Sequence, residues 1–334
     1  MKIRIQSLFT TLSVIALLGT GCSKKAPPEE GQAEGRKKIL IGFVGKSLTN
    51  DVFQAAQAGA KDAAKSLSEK YGVDIELEIR TPNEEDATKQ AEAVEALARR
   101  GAAGIAVSCS EANTLTPSID KAVGKGVAVV CFDSDAPQSK RFAYYGTDDQ
   151  SCGARIMEEL AKVMGETGTV AILGGNQSAP NLQNRVKGAK DALAKYPNMK
   201  LNEPGVFYHI ETPEKAAEAV QTAQNANPDI QGWCMIGGWP LFTADALKWP
   251  PGTIKVVSCD ALPAELGYLR TGQVQALFAQ DCYGWGTKSL ELLLEKIVNN
   301  QNPPEARIVD PLTLVTKENV DQFASNWDKW LGKK

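Results

Sequence analysis

Residues 39–70 read ILIGFVGKSLTNDVFQAAQAGAKDAAKSLSEK. Ile39–Val44 is a near-continuous apolar run, as expected of a parallel strand covered on both faces. From Asp51 onward, Val52, Phe53, Ala56, Ala60, Ala63, Ala64 and Leu67 fall at helical spacing. A buried strand followed by an amphipathic helix opens a βαβ series, and the chain continues it. Val73–Ile79 alternates as a strand, and Glu84–Arg100 reads as a helix closed by Gly101. Strand Gly104–Ser108, helix Thr114–Val123 and strand Val127–Phe132 complete the first series. A second begins after Tyr144, with helices at Cys152–Met164, Leu182–Lys195 and Glu214–Asn225. Its strands are Thr169–Leu173, Gly232–Ile236, Ile254–Ser258 and Gln275–Ala279. Strands alternating with helices, twice over, predict an α/β fold of two doubly wound parallel sheets.

The size agrees. A chain of 334 residues exceeds what one hydrophobic core normally reaches, so two domains are expected. With 37 Lys plus Arg against 40 Asp plus Glu, no broad basic field exists, which argues against nucleic acid as partner. The single histidine, His209, disfavours histidine-rich metal sites and histidine-based triads, and reads as an ordinary loop residue.

The only long apolar run lies at the N-terminus. Lys2 and Arg4 precede Leu8–Leu18, and Gly19-Thr20-Gly21-Cys22 follows, the layout of a signal peptide. Cys22 after small residues resembles a bacterial lipoprotein cleavage site, at which the thiol is acylated, although Gly19 stands where Leu is commonest. The alternative is plain secretion with an incidental Cys22. Ser23–Lys38, with Pro27-Pro28, Glu29-Glu30 and two glycines, cannot bury enough surface to order itself and reads as a flexible tether.

In doubly wound sheets, ligands bind beyond the carboxyl ends of the strands. The residues at those ends here are Lys46, Ser47, Thr49, Asn50 and Asp51; Ser108; Asp133, Ser134 and Asp135; Asn176, Gln177 and Ser178; Trp239; Asp260; and Gln280 with Asp281. Amides, carboxylates and a few aromatics suit a neutral polyhydroxylated ligand, whose hydroxyls donate to carboxylates while its C–H face packs on rings. Each residue also has a structural reading. Asp133 and Asp260 could cap helices, as could Asn50. Phe53 and Trp239 could be plain core, and Lys46 a solvated surface charge. Of the six cysteines after Cys22, most sit in or just past apolar strands as small core residues. Cys109–Cys131 is the pair placed best for a disulfide.

Ile41–Ala60, Gly104–Ser108, Val130-Cys131-Phe132-Asp133, Val256–Asp260 and Leu277–Gln280 together resemble the type I periplasmic sugar-binding proteins, above all the ribose-binding branch. The resemblance runs from Lys38 to near the C-terminus. It implies two lobes joined by a three-strand hinge, 39–147 plus 281–309 and 148–280 plus 310–334, crossing near Gly146–Asp148, Gln280–Cys282 and Asp310-Pro311. It implies ligand contacts from Asn50, Phe53, Asp133 and Ser134 in one lobe and from Gln183, Asp260 and Gln280 in the other. Arg185 is either a further contact or a brace for Gln183, and Trp239 offers a stacking surface. It also implies a monomer with no catalytic residue, metal or cofactor. A sugar would be its ligand, an ABC permease its partner, and a membrane its support through lipidated Cys22.

The departures carry information. Ribose binders present arginines where this chain has Ser134 and Gln183, and an aromatic where it has Val52, so ribose itself is not the expected ligand. Glu211 stands near another aromatic position of that branch. The regulators that share this fold begin with a DNA-binding helix-turn-helix, and a signal and tether stand there instead. A dinucleotide-dependent oxidoreductase is disfavoured, because Gly42-Phe43-Val44-Gly45 does not give G-x-G-x-x-G. A sensory lipoprotein presenting its ligand to a membrane receptor would use the same fold and site.

Overall fold

The computed structural model describes residues 36–330, so the signal and most of the tether lie outside the described residues. The elements in order are β1 Lys37–Val44, α1 Asp51–Tyr71, β2 Val73–Ile79, α2 Ala87–Arg99, β3 Gly104–Val107, α3 Ala112–Gly124, β4 Ala128–Phe132 and β5 Ala143–Gly146. Then come α4 Asp149–Met164, β6 Gly168–Gly175, α5 Pro180–Leu193, β7 Met199–Tyr208, α6 Pro213–Ala226, β8 Ile230–Met235, β9 Lys255–Cys259, α7 Pro263–Thr271 and β10 Ala276–Ala279. The chain closes with α8 Cys282–Asn299, β11 Arg307–Val309, β12 Thr313–Val315 and α9 Val320–Trp330.

Two six-stranded sheets result, ordered β11-β5-β4-β3-β1-β2 and β12-β10-β9-β8-β6-β7. Every strand pair is parallel except β10 with β12. The chain passes between the sheets three times: between β5 and α4, between β10 and α8, and between β11 and β12. The molecule is thus a pair of doubly wound α/β domains joined by three segments.

Glycines set the helix packing on each sheet. A Cβ on Gly286 of α8 would lie 1.9 Å from the Ala56 carbonyl oxygen of α1, and one on Gly153 of α4 would lie 1.8 Å from the Arg185 carbonyl oxygen of α5. Only a residue without a side chain permits such an approach. The first contact fixes α1, whose N-terminus faces the space between the sheets. The second fixes α5, which carries Arg185.

Several boundaries differ from the sequence reading, with consequences for function. The helix expected from Glu84 begins at Ala87, because the Asp86 carboxylate accepts from the Lys89 N–H at 2.9 Å and caps it. Glu84 and Glu85 therefore fall in the preceding loop. The helix expected from Cys152 begins at Asp149, capped by Asp148. Cys109 and Cys131, the pair placed best for a disulfide, are not bridged. Their sulfurs are 3.9 Å apart, and both thiols are free.

Candidate ligand-binding cleft

A cleft of about 940 Å³ opens between the carboxyl ends of the two sheets. Asn50, Phe53, Asp133, Arg185, Trp239, Asp260 and Gln280 all line it, as does Lys46. Ser134 and Gln183 do not. Ser134 is buried in the turn behind Asp133, where its carbonyl accepts from the Cys109 N–H at 3.0 Å. Gln183 lies on α5 with its Oε1 taking the Tyr208 hydroxyl at 3.3 Å.

Asp133 and Asp260 follow β4 and β9 with φ of 57° and 70°, in the left-handed region. Neither caps a helix: the next element after Asp133 is β5, and α7 starts at Pro263 with Leu262 as its cap. Asn50 does cap α1, accepting from the Val52 N–H at 3.1 Å, and lines the cleft as well. Phe53, one turn in, packs tilted against the fully buried Trp285 ring at 6.2 Å.

On the first lobe, Asp133 takes the Ser108 hydroxyl at 2.6 Å and the Lys46 ammonium at 3.7 Å. Lys46 is no surface charge; it is 5% exposed. Burial works against its charge, but Asp133, Glu85 and Glu211 outweigh it and hold the ammonium above its ordinary range.

The second lobe works through a relay. Asp260 accepts from Gln280 Nε2 at 2.7 Å and from the Gly238 N–H at 3.3 Å. Gln280 Oε1 in turn accepts from Arg185 Nη2 at 2.9 Å and from the Thr147 hydroxyl at 2.8 Å. Arg185 is 3% exposed and donates from Nε to Asp149 at 3.0 Å and from Nη1 to the Ile236 carbonyl at 3.1 Å. It braces Gln280 rather than Gln183. Burial pushes the Asp260 carboxyl up, against the pull of Arg185, Gln280 and Gly238. It pushes Asp149 up to about 6 even beside Arg185.

Residues 41–301 match the periplasmic binding protein domain. The chain belongs to that family. It is 26% identical over 316 residues to the D-ribose/D-allose-binding protein of Pseudomonas aeruginosa, covering 90% of this chain and 96% of that one. It is 27% identical over 290 residues to the D-allose-binding periplasmic protein of Escherichia coli, covering 81% and 90%. Among solved structures, an ABC transporter solute-binding protein from Burkholderia graminis in complex with D-arabinose superposes with a TM-score of 0.77. That match is at 27% identity and covers 85% of this chain and 97% of that one. This is a sugar-binding branch of the periplasmic binding proteins, whose members are solute-binding proteins.

Sequence reasoning missed several members of this periplasmic binding protein's cleft. Trp285 comes from α8, a helix the sequence reading did not resolve, in which Gly284 and Gly286 dilute the apolar pattern. Asn181 enters because Pro180 starts α5 two residues early. His209, read as an ordinary loop residue, lines the cleft and meets the Trp239 ring edge-on at 5.1 Å. Burial lowers its pKa. Glu211 accepts from the Asn176 N–H at 3.2 Å, and burial together with Glu85 pushes it up to about 7. Among the described residues, no group of three or more His, Cys, Asp or Glu side chains could hold a metal ion, and no helix is long and apolar enough to cross a membrane.

Proposed function

We propose that this chain is an exported, lipid-anchored binding protein without catalytic activity. It captures a monosaccharide-like ligand between its lobes and delivers it to an ABC importer. The observation that carries the reading is the pair Asp133 and Asp260, one from each lobe, entering one cleft on matching left-handed turns. A carboxylate can accept from two adjacent hydroxyls, and a charge-assisted bond of this kind contributes about 1.5–3 kcal/mol net. A sugar engaging both carboxylates favours the closed arrangement, because both sets of contacts exist only there. The ligands named for the relatives, ribose, allose and arabinose, support the substrate class.

A thermal-shift panel of pentoses, hexoses, deoxysugars, amino sugars and polyols on the full chain tests this. A true ligand at 100 times its Kd stabilises by about 2.7 kcal/mol. If no sugar or polyol moves the transition, the reading fails. The anchor is tested separately: Cys22→Ser is expected to move the protein from the membrane fraction to the soluble envelope fraction, because two or more acyl chains supply the attachment.

A further inference from the structure

We infer that the ligand is an aminated sugar or polyol, whose ammonium sits between Glu85 and Glu211 at the mouth of the cleft. The inference rests on the sugar-binding reading and narrows it.

Seven carboxylates and two cations line the cleft. Both cations are committed, Lys46 to Asp133 and Arg185 to Asp149. Among the described residues, Glu84, Glu85, Glu211 and Glu214 take part in no ion pair. The first two come from the loop before α2 and the last two from the segment between β7 and α6, so opposite lobes contribute like charges to one mouth. Glu85 helps push the Glu211 carboxyl up, and both carboxylates help hold the Lys46 ammonium charged.

A second observation concerns acceptors. Asn181 lines the cleft at 6% exposure, and its Oδ1 has no partner. His209 Nδ1 lies 2.8 Å from the Ile210 carbonyl, which requires the proton on Nδ1. Its Nε2 is therefore an acceptor, also without a partner. The lining thus has more negative charge than its own cations balance, and two unpartnered acceptors against one unpartnered donor, Trp285 Nε1. A hydroxyl brings one donor, whereas an ammonium brings three and a positive charge. A neutral sugar leaves Glu85 and Glu211 to repel one another as the lobes approach, and an ammonium between them turns that repulsion into attraction in the closed state alone. The remaining hydroxyls of such a ligand are left for Asp133 and Asp260.

Isothermal titration of the full chain at pH 7 with matched pairs tests the inference. Suitable pairs are D-glucosamine with D-glucose, D-galactosamine with D-galactose, and 1-amino-1-deoxyribitol with ribitol; N-acetylglucosamine serves as the uncharged control. In at least one pair the amine is expected to bind tenfold or more tightly than its parent, and the acetylated control no better than the parent. The preference should fall at least threefold in Glu85→Gln, an exposed position where folding is not at issue, and further in Glu85→Gln/Glu211→Gln. A parent sugar that binds as well as or better than its amine overturns the inference and leaves the sugar reading standing. A preference that survives both substitutions overturns the assigned seat. Failure of every sugar, polyol and amine to bind overturns the sugar reading and the inference together.

Discussion

Asp133 and Asp260 leave β4 and β9 through the same left-handed turn, yet their charges are held in different ways. Asp133 is neutralised locally, by Lys46 and Ser108 of its own lobe. Asp260 touches no cation. Its partner Gln280 is oriented by Arg185 and Thr147, and Arg185 is anchored on Asp149. Thr147 and Gln280 both lie on segments that cross between the lobes. One wall of the cleft is therefore self-contained, while the other is wired into the hinge. Two matching carboxylates should then respond unequally to the same substitution.

The largest effect is expected from Arg185→Met. It strips the relay at once, leaving Asp149 buried without its cation and Gln280 without its brace. Removing one member of a buried ion pair costs about 3–5 kcal/mol. Lys46→Met is the matched change in the other wall. Asp133 keeps its Ser108 bond and can take water from the cleft, so about 1–3 kcal/mol is expected. Denaturant unfolding of the unliganded proteins gives both numbers. If Lys46→Met is the more damaging, the relay is not what holds the second wall.

Next come Asp133→Asn and Asp260→Asn, with asparagine chosen because it tolerates the left-handed turn. Each should weaken sugar binding by about 1.5–3 kcal/mol, since a neutral amide is a poorer acceptor than a carboxylate. Their unliganded melting temperatures should separate. Asp133→Asn leaves the buried Lys46 ammonium without its nearest counter-charge and lowers the transition. Asp260→Asn removes a carboxyl whose charge burial already disfavours, and leaves the transition unchanged or higher. Equal shifts in melting would erase the contrast between the walls.

How much of this the sequence carries depends on the range of the interaction. Strands such as Ile39–Val44 and helices such as α1 announce themselves through local periodicity, and both acidic strand ends follow from that periodicity. The short β5 has only four residues to show a pattern, and Pro204-Gly205 breaks the alternation of β7. Lys46 looks like a surface lysine because the turn around it is polar; its burial comes from Asp133, 87 positions away. Glu84 and Glu85 read as the first turn of α2 because glutamates favour that position, and the Asp86 cap overrides them. Arg185 stands two residues from Gln183, but the groups it serves lie on α4, on the strand-end carbonyl of Ile236 and on the crossing at Gln280. Contacts of that range leave no mark in a single sequence.

The smallest effect concerns pH, and it tests whether Glu211 is shielded at the mouth of the cleft. Burial and Glu85 push its carboxyl from an ordinary 4.5 to about 7 in the folded chain. Between those values the folded protein holds a proton that the unfolded chain has released. Stability from this group is thus fully present below pH 4.5 and is lost as pH rises through 7. Asp149, raised from 3.8 to about 6, acts with the same sign over a lower window. The unliganded melting temperature should therefore decline from pH 5 to pH 8. Because Glu211 is only partly shielded, its share is on the order of 1 kcal/mol, well short of the full linkage value. Glu211→Gln should flatten the curve between pH 6 and 8 and leave the Asp149 portion in place. Glu85→Gln should move the Glu211 portion to lower pH without abolishing it, because burial remains. A wild-type curve rising toward pH 8, or one that Glu211→Gln leaves unchanged, would put Glu211 in open water and remove the shielded acidic mouth that Glu85 and Glu211 form.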